Sequence, residues 1–276
     1  MIYLAAVPAE PPQLNAVQRR MLDALREDGV AVARFAELFD EQLWQQAVAD
    51  IAPFVHEAEQ AVRKLGDHPE KKDHVILRRF FVKLTQVHLL PLLGPWLRIC
   101  ASVTLLDVVN AYRGDWTWLQ YVDNWYTVPY PSAEKRVASQ RWHRDPEDEH
   151  LIKAFIYFSD VDEEAGPFQY IRSSPSGGRH GHLWPWDEGS NWYPPGEEVE
   201  AAVPPEDKLS LTGPVGTLIL CDTGGIHRGG FARTKPRILT TATYIGRERR
   251  PGEKPLAVDF AGRERSLSPQ ELFALT

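Results

Sequence analysis

Between Asn15 and Asp28 apolar residues recur at Val17, Met21, Leu22 and Leu25, the spacing of one helix face, and Asp28-Gly29 closes the run, so the pattern predicts a first helix. Val30-Ala31-Val32-Ala33-Arg34-Phe35 is β-prone, and Asp40 stands where an N-cap would open a second helix carrying Leu43, Trp44, Ala47, Val48 and Ile51. A third, mostly helical pattern runs from about Asp73 to Leu93, with Val75, Leu77, Val82, Leu84 and Val87 available for burial. After Leu105 the character changes. Short β-branched and aromatic runs alternate with Gly, Pro, Asp and Ser clusters, the pattern of an antiparallel sandwich or barrel, with strands expected near 119–127, 151–158, 167–171, 215–221 and 237–245. From Leu183 to Val203 the residues Trp184, Trp186, Trp192 and Tyr193 lie among Pro185, Pro194 and Pro195 without periodicity, which reads as a long ordered loop. Such a loop serves as a lid or a substrate wall, or merely covers a barrel mouth or a dimer contact.

At 276 residues this is a length that one domain accommodates, and the expectation is a single domain over 1–276. Its parts would be mainly helical support to about 105, a β core over about 106–250 and a C-terminal extension over 251–276. Hydrophobic residues at 43% and charged residues at 25% are ordinary for a globular protein. The net charge of −7 argues against nucleic acid as a partner. Cys100 and Cys221 are too few and too far apart for a disulfide framework and fit a reducing compartment. The N-terminus lacks a basic region and a run long enough for a signal peptide, and the apolar stretch Leu89 to Leu97 is broken by Pro91 and Pro95. A cytoplasmic protein, monomer or homodimer, with a small-molecule substrate and no membrane association, is expected.

The run Ser139-Gln140-Arg141-Trp142-His143-Arg144-Asp145 holds an H-x-D pair. In an extended segment residues two apart share a face, so His143 and Asp145 can converge on one ion while Arg144 points away. By itself the pair is weak, and a plain His–Asp hydrogen bond would explain it. Downstream, the apolar run Leu218 to Cys221 leads through Asp222 and the turn Thr223-Gly224-Gly225 to His227, and Arg237 follows ten residues later. Two imidazoles and one carboxylate on one face of an octahedral metal leave three positions open, the arrangement of non-haem iron(II) oxygenases. A 2-oxo acid fills two of those positions and dioxygen the third, and an arginine fork suits the distal carboxylate of 2-oxoglutarate. Arg237 is the choice for that fork, with Arg233 and Lys235 as rivals.

These stretches, together with Phe158-Ser159-Asp160-Val161-Asp162-Glu163-Glu164-Ala165-Gly166-Pro167-Phe168 and the entry Glu27-Asp28-Gly29-Val30-Ala31-Val32, resemble the phytanoyl-CoA dioxygenase-like branch of the iron(II)/2-oxoglutarate oxygenases over roughly residues 15 to 245. The resemblance implies a mainly β fold with flanking α-helices, a double-stranded β-helix or jelly-roll barrel. It implies iron ligation by His143, Asp145 and His227, cosubstrate binding by Arg237, and contacts to 2-oxoglutarate from Gln140 and Lys153. Arg172-Ser173-Ser174-Pro175-Ser176-Gly177 departs from the family's Pro-Gly-Ser-His turn. Asp145, which halogenating relatives replace by a small residue, disfavours halogenation.

The expected activity is hydroxylation of a small molecule with release of succinate and CO2; desaturation, epoxidation or ring formation would use the same residues. A non-catalytic metal-binding sensor and a metalloenzyme that needs no 2-oxo acid are the alternatives. Trp142, Arg144, Trp184 and Trp186 are candidate substrate contacts, although Trp142 and Arg144 fit sheet packing equally. Lys153 lies in an apolar strand, where its ammonium must snorkel or meet an anion. His180-Gly181-His182 reads as a solvated loop, and Glu147-Asp148-Glu149 as an exposed acidic turn.

Overall fold

The computed structural model describes residues 12–65, 81–83, 89–131, 135–187, 192–246 and 256–276. Helix α1 (Ala16–Asp28) opens on a reciprocal Asn15/Gln18 capping box and ends on Gly29, whose φ of 79° turns the chain directly into strand β1 (Val30–Arg34). A side chain at Gly29 would be strained in that conformation and would run into the Tyr170 hydroxyl and the Pro175 ring. Gly29→Ala is therefore expected to cost about 2 kcal/mol or more, read as a fall of several degrees in the thermal midpoint; an unchanged midpoint would contradict the packing described.

Helix α2 (Glu41–Leu65) begins where Asp40 Oδ1 accepts from the Leu43 N–H at 2.7 Å, the cap read from the sequence. The helix expected over 73–93 is corrected where it is described: 81–83 is strand β2 (Phe81–Lys83), and Leu90–Pro91 form strand β3, paired in parallel with β11 (Val258–Asp259). The rest of that segment, with Val75, Leu77, Leu84 and Val87, lies outside the described residues. Helices α3 (Pro95–Cys100) and α4 (Val103–Arg113) follow, so helix continues well past residue 105 before the β region starts.

The remaining elements are β4 (Trp118–Thr127), β5 (Ile152–Tyr157), β6 (Phe168–Ile171), α5 (Gly196–Ala202), β7 (Lys208–Leu211), β8 (Thr217–Asp222), β9 (His227–Gly229), β10 (Arg237–Ile245) and α6 (Pro269–Leu275). All five strands expected from the sequence are present within two residues of the expected ends. Helix α5 breaks the segment that reads as one loop, because Glu197 and Glu198 favour the N-terminal turn and Val199 supplies a buried anchor.

Strands β1-β8-β5-β10-β4-β2 form an antiparallel six-stranded sheet, and β7-β6-β9 a three-stranded one that an isolated bridge extends from His227 to His143. The fold is thus mixed α and β. Among the described residues strand pairing does not close the two sheets into a barrel, which narrows the jelly-roll expectation to two facing sheets. Period-two alternation divides the large sheet. Ile152, Ala154, Ile156, Leu218 and Leu220 face the helices and join their main core, while Phe155, Tyr157, Ile219 and Leu239 face the small sheet and pack on Phe168 and Tyr170. The C-terminal helix α6 also buries Ala274 and Leu275 in the main core. No helix among the described residues is long and apolar enough to cross a membrane.

Candidate metal centre

The inward face of the large sheet carries Lys153 and Arg237. Register sets Lys153 beside Thr243 and Arg237 beside Thr127, so their strand positions differ by six residues along β10, roughly 20 Å of extended chain. Between them lies a cavity of about 250 Å³ floored by Trp125, Phe155 and Leu239 and covered by Phe168 and the three expected metal ligands.

His143, Asp145 and His227 are all buried, and their ligand atoms lie within 4.8 Å of one another. His143 Nε2 is 3.7 Å from Asp145 Oδ1, and His227 Nε2 is 3.5 Å from Asp145 Oδ2. Backbone pairing builds the cluster. The N–H of His143 donates to the His227 carbonyl and the N–H of His227 returns the bond, both at 2.9 Å, while Asp145 N–H donates to Thr223 O at 2.9 Å. Each ring is then aimed from behind: His143 Nδ1 lies 2.8 Å from Arg141 O and His227 Nδ1 lies 2.9 Å from Gly225 O. A carbonyl only accepts, so both rings carry the proton on Nδ1 and turn the Nε2 lone pair inward.

Electrostatics keeps those lone pairs free. Burial, with the neighbouring His143 ring, pushes His227 down to about 3, and burial also lowers His143. Burial would raise Asp145, but the Lys153 ammonium and then the two imidazoles overcome it and hold the carboxyl below the usual carboxylate range. Lys153 Nζ donates to Asp145 Oδ2 at 2.6 Å. The buried strand lysine has thus found its anion within the protein, and Asp145 holds it above the ordinary lysine range against the opposing effect of burial. Two neutral imidazoles and an ionised carboxylate are the donor set an iron(II) ion needs.

The depressed histidines make stability pH-dependent. An unfolded chain protonates histidine near ~6.5, whereas folded His227 resists until about 3. Between those values the unfolded state binds more protons, so stability is lost as pH is lowered, by up to ~1.4 kcal/mol per unit for each such group. The urea midpoint of metal-free protein is expected to drop as pH falls from 6.5, and His227→Asn to flatten the profile; parallel profiles for the two proteins would refute it.

At the far end Arg237 is buried, and its Nε and Nη1 have no hydrogen-bond partner. Burial lowers its affinity for the proton. Thr127 Oγ1, on the paired residue, is likewise buried without a partner, and Gly229 lines the same cavity. An unpaired buried guanidinium costs several kcal/mol unless an anion meets it, so this end fits a carboxylate. Thr127 was not legible as a site residue, since only the pairing of β4 with β10 sets it beside Arg237.

The other expected residues divide. Trp186 Nε1 donates to Asp145 O at 3.1 Å, and its ring lies 5.3 Å from Trp192. Tyr193, which the sequence marks only as one of four loop aromatics, stacks on His143 at 5.4 Å with the Arg141 guanidinium 4.9 Å from its ring. Gln140, Trp142, Arg144, Trp184 and Trp186 itself do not line the cavity. Gln140 Oε1 accepts from Val137 N–H, closing a 3-10 turn. Trp142 is buried with its indole N–H on Glu200 and Arg228 over its ring. Arg144 donates to the carbonyls of Ser174, Leu183, Trp184 and Gly224, fastening three loops behind the ligands. Trp184 packs with Leu183 against Trp142 and Ile171. Two polar turns are also tighter than expected. His180 is buried against Asp207 at 2.8 Å, and Asp148 is buried against Arg113 at 3.0 Å, so neither is a solvated segment.

Fold and site together describe a mixed α/β protein whose two facing sheets enclose a two-histidine, one-carboxylate cluster. No protein-family model matches the chain, and no curated relative does. Solved structures do. AviO1 from Streptomyces viridochromogenes Tue57 is similar at a TM-score of 0.55 and 15% identity, covering 88% of this chain and 100% of that one. The non-haem α-ketoglutarate-dependent carbocyclase SnoK from nogalamycin biosynthesis is similar at 0.53 and 13%, covering 95% of each. The epimerase SnoN, in complex with Fe3+, α-ketoglutarate and nogalamycin RO, is similar at 0.53 and 19%, covering 83% of this chain and 84% of that one. At such identities the likeness is one of fold.

Proposed function

We propose that the chain, as one domain over 1–276, is an iron(II)- and 2-oxoglutarate-dependent oxygenase that hydroxylates a C–H bond of a small organic molecule, releasing succinate and CO2. The observation that carries this reading is the pairing, in one cavity, of a convergent His143/Asp145/His227 cluster with a buried Arg237 that has two unpartnered donors. The two facing sheets support a double-stranded β-helix of the phytanoyl-CoA dioxygenase-like kind, and two unpaired buried cysteines suit a cytoplasmic setting.

Iron(II), when bound, supplies dioxygen activation coupled to oxidative decarboxylation of the 2-oxo acid. The protein does the rest. His143 and His227 present Nε2, Asp145 presents its carboxylate while Lys153 holds one oxygen, and Arg237 with Thr127 receives the distal carboxylate of 2-oxoglutarate. Phe155, Phe168 and Leu239 keep water from the cavity walls. Trp186, Trp192 and Tyr193 beside the ligands favour a ring-bearing or apolar substrate. SnoN is an epimerase and SnoK a carbocyclase, and product analysis by mass spectrometry separates those outcomes from hydroxylation.

Anaerobic titration with iron(II) and then 2-oxoglutarate should give a visible charge-transfer band, and a substrate library should reveal compounds that trigger succinate release. Iron bound without succinate under any substrate would favour a sensor. Turnover that is indifferent to loss of Arg237 would favour a metalloenzyme without a 2-oxo acid.

A further inference from the structure

Arg233, a rival of Arg237 in the sequence, lies outside the metal cavity and lines a second one of about 170 Å³ with Arg136, Glu163, Gln169 and Phe231. The two guanidinium carbons sit 4.5 Å and 4.7 Å from the centre of the Phe231 ring, which fixes both side chains by cation–π contact. A third arginine, Arg228, is close enough to add its charge, and it pairs with Glu200 at 3.0 Å. Glu200 must also serve Lys208, and the Glu163 carboxylate accepts from Ser210 Oγ at 2.7 Å.

Arg136 is left with two backbone carbonyls, Gln140 O and Gly229 O, both at 3.3 Å, and has no carboxylate in ion-pair range among the described residues. Burial and then the Arg228 charge push it down to about 10. The half-open cavity thus sets two arginines against one lining carboxylate, Glu163.

We propose that this second cavity binds a small oxyanion, a phosphate or carboxylate group, between Arg136 and Arg233. The chemistry follows from the lining: fixed guanidinium planes offer paired N–H donors, the pattern that recognises planar or tetrahedral oxyanions. The cavity is large enough to admit such a group. The position has a consequence for the metal centre. Arg136 ties Gln140, three residues before His143, to Gly229, two residues after His227, so an anion on Arg136 acts on the brace between the two ligand-bearing segments. This inference is independent of which reaction the metal centre performs.

Calorimetric titration of the full chain with inorganic phosphate, and separately with succinate, tests it, with Arg136→Gln, Arg233→Gln and Arg237→Gln as variants. Saturable binding of at least one of the two anions that persists in Arg237→Gln is expected, and the tighter of them identifies the source. Arg136→Gln and Arg233→Gln should each weaken it roughly tenfold, equivalent to about 1.4 kcal/mol, whereas Arg237→Gln should retain it. Arg233 is partly exposed, so its variant reports even if Arg136→Gln fails to fold. No saturable binding of either anion, or binding lost only in Arg237→Gln, would overturn the proposal.

Discussion

Asp145→Ala is expected to abolish metal-dependent turnover and to weaken iron(II) binding by more than the roughly 10–100-fold typical of losing an outer partner of a metal ligand. The carboxylate is the one anionic member of the cluster, and both imidazoles are held neutral, so its removal takes away the whole negative charge facing the cation. The same change has a second effect. Lys153 donates to Asp145 at 2.6 Å, and its side chain is 12% exposed. Stripped of its partner, the ammonium becomes an uncompensated buried charge, a change that destabilises by about 3–5 kcal/mol. The two losses can be separated by pairing Asp145→Ala with Lys153→Met, which should restore much of the thermal midpoint without restoring iron binding. Equilibrium dialysis with iron(II) and a melting curve on the same samples decide the matter. Iron retained by Asp145→Ala at wild-type affinity would remove the carboxylate from the site.

The reach of the sequence can be seen in which side of each contact was local. Helix α1 was legible because its apolar stripe and its stop glycine lie within fifteen residues. The metal cluster was legible for a related reason: His143 and Asp145 are two apart on an extended segment, and His227 follows a recognisable strand and turn. What the sequence could not supply was pairing between distant strands. Thr127 becomes a neighbour of Arg237 only through the register of β4 on β10, and Lys153 meets Asp145 only when β5 is folded beneath the ligand segment. For Arg144 and Trp142 the sequence left substrate contact and sheet packing equally open. Flanking a metal ligand in sequence set them among the site candidates, yet alternation turns them to the far side, where Arg144 serves backbone carbonyls and Trp142 a buried cluster. His180 read as loop because Gly177, Gly178 and Gly181 surround it; its partner Asp207 is twenty-seven positions away.

Arg237→Met is expected to act with opposite signs on ligand-free stability and on cosubstrate binding. In the ligand-free protein the guanidinium is buried with Nε and Nη1 unpartnered, on a strand position packed among Tyr157, Leu239 and the cavity wall. Replacing such a charge by an apolar side chain of similar length is neutral or stabilising by about 1–4 kcal/mol, because the desolvation penalty disappears with the charge. The thermal midpoint without ligand should therefore hold or rise. Binding of 2-oxoglutarate should fall sharply, since a desolvated carboxylate would then face only the Thr127 hydroxyl; truncating one partner of a buried hydrogen-bonded charge pair costs about 2–5 kcal/mol, roughly 30-fold to several thousandfold in Kd. Iron(II) affinity should change little, because the metal ligands and the carbonyls that aim their rings come from other segments. Melting curves, iron titration and 2-oxoglutarate titration on one preparation give all three readings. A structural arginine would show the reverse pattern, a lowered midpoint with cosubstrate affinity intact, and that result would move the carboxylate seat away from Arg237.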